Sequence, residues 1–271
     1  MRYDRGDVPI SSYADLPDAV QSAVEAAVGA PRVLQPALGG PASTVASRLS
    51  TDRGEFFVKA VPAGHRSATS QEREAEICRH VGAVAPALIT RILDRGWDVL
   101  VFEAIEGRHA DYAPGSPDLS LVADLIARVG EIPVPEIPLR RAEERLRAYA
   151  DPARLHHFAG DTLLHTDLNN VNVIVGGGRA RLVDWAWATR GAPWLDAAYW
   201  VVWLIAAGHA PESAEQWAAE IPAFAAAPEA GVTAFAVATA RLWQAVDTAN
   251  PDSWTLRLSD ASQSWCRFRA V

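Results

Sequence analysis

The residues of this chain best suited to chemistry are His165, Asp167 and Asn172, in the spacing His-x-Asp-x4-Asn, and the carboxylate Asp184 that follows. Apolar Val173, Ile174 and Val175 lead away from Asn172, Gly176–Gly178 reads as a turn, and Leu182 and Val183 lead back. Such a hairpin brings Asn172 and Asp184 to the same end of two strands. One amide oxygen and one carboxylate are hard ligands in small number. They suit Mg2+, which keeps several waters and completes its shell from phosphates. Asp167, ahead of Asn172, is placed to accept or orient the hydroxyl of a phosphoryl acceptor. Three of the four Asn in the chain (Asn169, Asn170 and Asn172) sit in this loop.

A second signal is a count. Of 25 basic residues, 24 are Arg and one is Lys, at position 59. In a chain that writes its cations as Arg, a single Lys points to a site needing a compact ammonium rather than a planar fork. Phosphate oxygens in a narrow site make that demand. Lys59 lies in Glu55–Val61, an alternating pattern after the turn Asp52-Arg53-Gly54, which predicts a strand.

Residues 70–81 read as a helix, with Ser70 as its cap and Ile77 and Val81 four apart on one face. Glu74 lies about one turn before Ile77 on nearly the same face and is expected to turn inward to Lys59, whereas Glu72 and Glu76 read as solvated. A Lys–Glu pair of this kind fixes an ammonium against nucleotide phosphates. The turn containing Gly39, Gly40 and Ser43 precedes the Lys59 strand, and its backbone N–H groups would cover those phosphates.

In this order, strand Lys59, helix Glu74, the segment Phe102-Glu103-Ala104-Ile105, the loop His165-x-Asp167-x4-Asn172 and then Asp184-Trp185, the chain resembles the aminoglycoside phosphotransferase and choline kinase-like family, the small-molecule branch of the protein-kinase-like fold. The resemblance spans nearly the whole chain, and the catalytic loop is its specific part. It implies an α+β, two-lobed fold with a small β-rich lobe over residues 1–105 and a larger, mostly helical lobe over 106–271. It also implies Asp167 as catalytic base, Asn172 and Asp184 as Mg2+ ligands, Lys59 and Glu74 at the phosphates of ATP or GTP, and Phe102, Glu103 and Ile105 beside the base. His165 and Asp196 would be structural supports of the loop. Protein kinases differ in carrying Gly-x-Gly-x-x-Gly, Asp-Phe-Gly and Ala-Pro-Glu. Here the corresponding places hold Gly39-Gly40 and Asp184-Trp185-Ala186, with no Ala-Pro-Glu. That argues for a small acceptor over a peptide.

The remaining elements must position these groups. At 271 residues and 49% hydrophobic composition the chain can bury a substantial core in two lobes. Helices are predicted over 16–28 and near 117–129, 139–149, 195–207, 212–221, 230–247 and 255–265, and a strand over Val99–Phe102. The most apolar segment, 197–207, is too short to cross a bilayer. Met1–Asp7 lacks the apolar core of a secretory leader, and two cysteines (Cys78, Cys266) are too few for a disulfide scaffold, so a cytoplasmic location is expected. A net charge of −8 disfavours nucleic acid and mildly favours a cationic acceptor. Nine of the ten Trp lie from position 185 onward. A helical core absorbs most of them, and Trp187 and Trp194, flanking the Asp184 strand, are the candidates for an acceptor pocket. The expected activity is phosphoryl transfer from ATP or GTP to a hydroxylated small molecule, an antibiotic first and a metabolite such as an amino alcohol or sugar next. A non-catalytic nucleotide-binding module is disfavoured because every charged role is filled.

Overall fold

The computed structural model of the protein describes residues 12–36 and 44–270. They fall into two compact units, one comprising the described residues through Glu106 together with Asp184–Ala186, the other Gly107–Val183 and Trp187 onward.

The first unit is a five-stranded antiparallel sheet with two helices. Helix α1 spans Asp18–Val28, followed by β1 (Val33–Pro36), β2 (Val45–Thr51), β3 (Gly54–Pro62), helix α2 (Ala68–Ile77), β4 (Leu88–Asp94) and β5 (Trp97–Glu103). The strand order is β1-β2-β3-β5-β4. Helix α1 begins two residues later than its apolar pattern because Leu16 precedes Pro17 and is held extended, at φ −69° and ψ 149°. Its Val20, Val24 and Val28, spaced by four, pack with Tyr13 and Leu16 on Val45, Leu49, Val58, Ala60, Val99 and Val101. Each such Val contributes about 1.5 kcal/mol of burial, so a charge at Val24 would open this core. Val58 and Ala60 face α1, which turns the intervening Lys59 to the opposite face of β3, where it pairs across the sheet with Ala46 and Leu100.

Helix α2 differs from the predicted span at both ends. Its N-cap is Ser67, which makes no side-chain capping bond, and the helix closes at Ile77 through Cys78 N–H to Glu74 O. Gln71, Glu74, Ala75 and Ile77 form its buried face, and Glu72 is exposed.

In the second unit, β6 (Arg108–His109) and helix α3 (Asp118–Gly130) are tied by a bidentate ion pair between Arg108 and Asp118, at 2.5 and 2.8 Å. Then follow β7 (Arg140–Arg141), α4 (Ala142–Arg145), β8 (Thr162–Leu164), β9 (Val173–Gly176), β10 (Arg179–Leu182), β11 (Thr189–Gly191), α5 (Leu195–Ala206), α6 (Pro211–Ala219), α7 (Pro222–Ala225), α8 (Glu229–Ala249) and α9 (Ser253–Arg269). Two small sheets result, ordered β10-β9-β6 and β7-β11-β8. The helix predicted over 139–149 is reduced to the single turn α4, because Arg140 and Arg141 pair in parallel with Thr189 and Arg190. Helices α5, α8 and α9 enclose an aromatic core centred on Phe235, whose ring lies 4.8 to 6.0 Å from those of Tyr199, Trp194, Phe158 and Trp265. Among the described residues no helix is long and apolar enough to cross a membrane.

Candidate active site

The hairpin forms as its pattern requires. Val173 pairs with Leu182 and Gly176 with Arg179, leaving Gly177 and Gly178 as a two-residue turn. Both have positive φ, 58° and 73°, the backbone of a tight hairpin that glycine adopts without strain. One step beyond the ladder, Val183 N–H donates to Asn172 O at 2.9 Å. Asn172 therefore stands opposite the residue that precedes Asp184.

Strand β8 delivers the chain into the loop that carries Asp167. The carboxylate of Asp196, in the first turn of α5, accepts the backbone N–H groups of His165 and Thr166, both at 2.8 Å. His165 is fully buried; its Nδ1 accepts the N–H of Asp167 at 3.2 Å, which leaves Nε2 to donate to Val183 O at 3.0 Å. The imidazole thus joins the loop to the exit of β10. Burial pushes the Asp196 carboxyl up to about 6, against the lowering effect of the two N–H bonds and of Arg145. At neutral pH it is an ionised clamp on the loop.

Thr166 occupies the left-handed region, with φ 65°. For a β-branched residue that costs about 1–3 kcal/mol and needs surroundings that enforce it. Besides the Asp196 bond, the Thr166 hydroxyl donates to Trp187 O at 3.1 Å and accepts from Arg145 Nη1 at 2.5 Å. The same Arg145 nitrogen reaches Thr189 Oγ1 at 2.6 Å, and Thr189 in turn donates to Trp187 O at 2.7 Å. Arg145 is a positioning residue that sequence reasoning missed, since neither its spacing nor its type distinguishes it among 24 Arg.

Trp187 and Trp194, expected to line an acceptor pocket, are placed elsewhere. Trp194 is 3% exposed and packs edge-on against Phe158 and Phe235, so it belongs to the core. Trp187 presents its ring to Arg140 and Arg145, with guanidinium carbons 4.2 and 5.3 Å from the ring centre, and so supports the loop. The concavity that includes Asp167 is lined by Thr166, Tyr199, Val202, Trp203, Leu242 and Trp243. Nothing in the apolar pattern of α5 or α8 separates these side chains from core residues.

Asn172 donates its amide nitrogen to Asp167 O at 3.2 Å. This fixes the amide so that Oδ1, which accepts no hydrogen bond among the described residues, is the end left for a ligand. Asn172 Oδ1 and, in the first unit, the Asp184 carboxylate are each hard oxygen donors. No group of three or more His, Cys, Asp or Glu able to hold a metal occurs among the described residues. Oxygens of that kind suit an ion that takes most of its shell from water and phosphate, as Mg2+ does.

In the first unit, Lys59 is the centre of a buried ion cluster. Its ammonium lies 2.9 and 3.1 Å from the two oxygens of Glu74 and 3.0 Å from Oδ1 of Asp184. Lys59 and Glu74 are 9% and 3% exposed. Burial alone would lower the Lys59 pKa, but Asp184 and Glu74 outweigh it and hold the ammonium charged well above neutrality. Burial pushes the Glu74 carboxyl above its ordinary value; the bidentate contact with Lys59 opposes this and Asp184 adds to it. Asp184 has φ 65°, a second strained backbone at the site, and Arg73 of α2 donates to Ala186 O at 3.0 Å.

Phe102 is buried in β5, opposite Phe57. After it, Glu103 N–H is spent on Ala87 O and Ala104 N–H on Glu55 O, both in sheet-like contacts. Ile105 N–H has no acceptor among the described residues. Gly39, Gly40 and Ser43 lie outside the described residues.

No family model matches the chain, and no curated protein matches it. Solved structures do. A thermostable mutant of aminoglycoside phosphotransferase APH(4)-Ia, in ternary complex with AMP-PNP and hygromycin B, is 14% identical and superposes with a TM-score of 0.59 over 92% of this chain and 99% of that one. The aminoglycoside phosphotransferase of Alicyclobacillus acidocaldarius is 13% identical (TM-score 0.62, covering 94% of this chain and 95% of that one). Choline kinase LicA from Streptococcus pneumoniae is also 13% identical (TM-score 0.60, covering 93% and 98%). The protein has the α+β kinase-like fold that these structures share.

Proposed function

We propose that the protein transfers the γ-phosphoryl group of ATP or GTP to a hydroxyl of a small molecule, a natural-product antibiotic being the favoured acceptor and a hydroxylated metabolite the alternative. The observation that carries this reading is the Lys59 cluster, an ammonium gripped by Glu74 and also in contact with Asp184. Burying a Lys–Glu pair beside a third, half-buried charge is a poor way to stabilise a fold, because desolvation consumes most of the Coulombic gain. It makes sense where a phosphate is to be bound. The occurrence of the same fold in APH(4)-Ia with AMP-PNP and hygromycin B supports the reading.

In this account Glu74 holds Lys59 toward the phosphate oxygens, and Ile105 N–H and the buried Phe102 meet the base. Asn172 and Asp184 would hold Mg2+, which when bound offsets the charge of the phosphates. Asp167, on a loop fixed by Asp196, His165 and Arg145, orients the acceptor hydroxyl and takes its proton. The acceptor oxygen forms a bond to the γ-phosphorus as the bond from that phosphorus to the β–γ bridging oxygen breaks, and the nucleoside diphosphate leaves. Because a phosphoryl group in flight demands position more than covalent help, a rigid loop is the main contribution of the chain.

The test is a nucleotide-consumption screen against hydroxylated antibiotics and metabolites, read by mass spectrometry. The expected result is the mass gain of one phosphoryl group on one class of acceptor, with equimolar nucleoside diphosphate. No mass gain across the panel, together with no Mg-nucleotide shift of the thermal transition, would contradict the proposal.

A further inference from the structure

The concavity at Asp167 has an unusual chemistry for a site that is to hold a hydroxylated molecule. Of its lining residues, Asp167 carries the one charge, and the contributions of α5 and α8 are aromatic or aliphatic: Tyr199, Val202, Trp203, Leu242 and Trp243. Val202, Leu242 and Trp243 are 2%, 4% and 6% exposed and act as walls, whereas Tyr199 and Trp203 are half-buried and offer surface.

These rings are buttressed from behind. Trp254 of α9 packs against Trp203 at 5.9 Å and against Trp243 at 5.3 Å with an interplanar angle of 88°. Tyr199 stands edge-on to Phe235 at 4.8 Å. Side chains fixed by packing lose little further freedom on binding, so an apolar surface laid against them gains most of its burial.

A polycationic aminosugar would meet a poor partner here. Each ammonium group taken out of water needs a carboxylate or several hydrogen-bond acceptors, and the lining supplies one carboxylate, which the chemistry already employs. One cation can rest on an indole face, but a single contact of that kind does not repay the desolvation of a second and a third.

Resting on the phosphotransferase reading above, we propose that the acceptor is an alcohol with an apolar ring or alkyl body, neutral or singly positive, which lies against Trp203 and Trp243 with its hydroxyl at Asp167. Trp203 is then the specificity-determining residue. Being half-buried, it can be shortened without hollowing the core as Trp243 would.

The experiment uses the full chain in two readouts. Binding of the acceptor without nucleotide is followed by tryptophan fluorescence, and transfer by steady-state kinetics, over a panel that pairs neutral or singly charged apolar alcohols with aminocyclitols bearing three or more amines. The expected results are saturable binding of the apolar class and a kcat/KM at least roughly tenfold above that of the polyamines. In Trp203→Ala the KM for the apolar class should rise at least roughly tenfold with little change in kcat, and Trp203→Phe should recover most of it. Equal or better use of the polyamines, absence of saturable binding by the apolar class, or a Trp203→Ala KM within twofold of the parent would overturn this inference while leaving phosphotransfer intact. Failure of the parent to bind Mg-nucleotide at all would remove the phosphotransferase reading, and this inference with it.

Discussion

Replacing Lys59 with Met tests the ion cluster as a physical object, apart from any activity. The ammonium makes contacts of 2.9 and 3.1 Å to Glu74 and 3.0 Å to Asp184, in surroundings where Lys59 and Glu74 are 9% and 3% exposed. Deleting it leaves the buried Glu74 carboxylate facing the half-buried one of Asp184, and breaking a buried pair such as Lys59–Glu74 costs about 3–5 kcal/mol. The loss has a ceiling, because Glu74 can take up a proton, which for a carboxyl of ordinary pKa near 4.3 costs about 4 kcal/mol at pH 7. That escape becomes cheaper by up to about 1.4 kcal/mol for each pH unit downward. In the parent, the Lys59 pKa is raised, so its contribution is complete below the unfolded value of about 10.4 and is lost only at alkaline pH. In the variant, the raised Glu74 pKa makes stability fall as pH climbs. Urea denaturation at pH 5.5, 6.5 and 7.5 should therefore show a cost that grows with pH, and adding Glu74→Gln should restore at least about half of it. A cost below about 0.5 kcal/mol at pH 7.5 with no pH dependence would refute the reasoning and return Lys59 to solvent.

Asp184→Ala should abolish the Mg-dependent part of the nucleotide-induced rise in melting temperature, since ligand binding to the folded state shifts the transition by mass action; an unchanged shift in melting experiments would contradict its role. The Asp196 carboxyl, raised to about 6 by burial, gives stability that is full below its unfolded value and is lost as pH rises through the folded one. The stability gap between the parent and Asp196→Asn should thus be about 1 kcal/mol larger at pH 5 than at pH 7, and a gap constant across that range would show that the carboxyl titrates normally.

The hairpin and the Lys59–Glu74 pair were legible because each rests on local rules. A glycine turn with alternating strands sets the register of Asn172 against Val183, and helical periodicity puts Glu74 on the buried face of α2. What escaped depends on contacts distant in sequence. Arg145 acts through Thr166 and Thr189, 21 and 44 positions away, and its segment, helical by pattern, is drawn into a parallel strand pair at Arg140–Arg141. Trp194 and Trp203 stand on or beside the same apolar helix, and only the packing of α8 and α9 makes one a core residue and leaves the other half-buried at the concavity. The start of α2 moved because Ser67, not Ser70, precedes its first turn, and no capping bond marks either.

The central claim is that Asp167 acts on the acceptor hydroxyl, and it is tested most directly by measuring turnover and nucleotide affinity side by side in Asp167→Asn. Loss of the base should lower kcat by roughly 10^2 to 10^4 while the dissociation constant for Mg-nucleotide stays within a few-fold of the parent. Turnover within a few-fold of the parent would contradict the account.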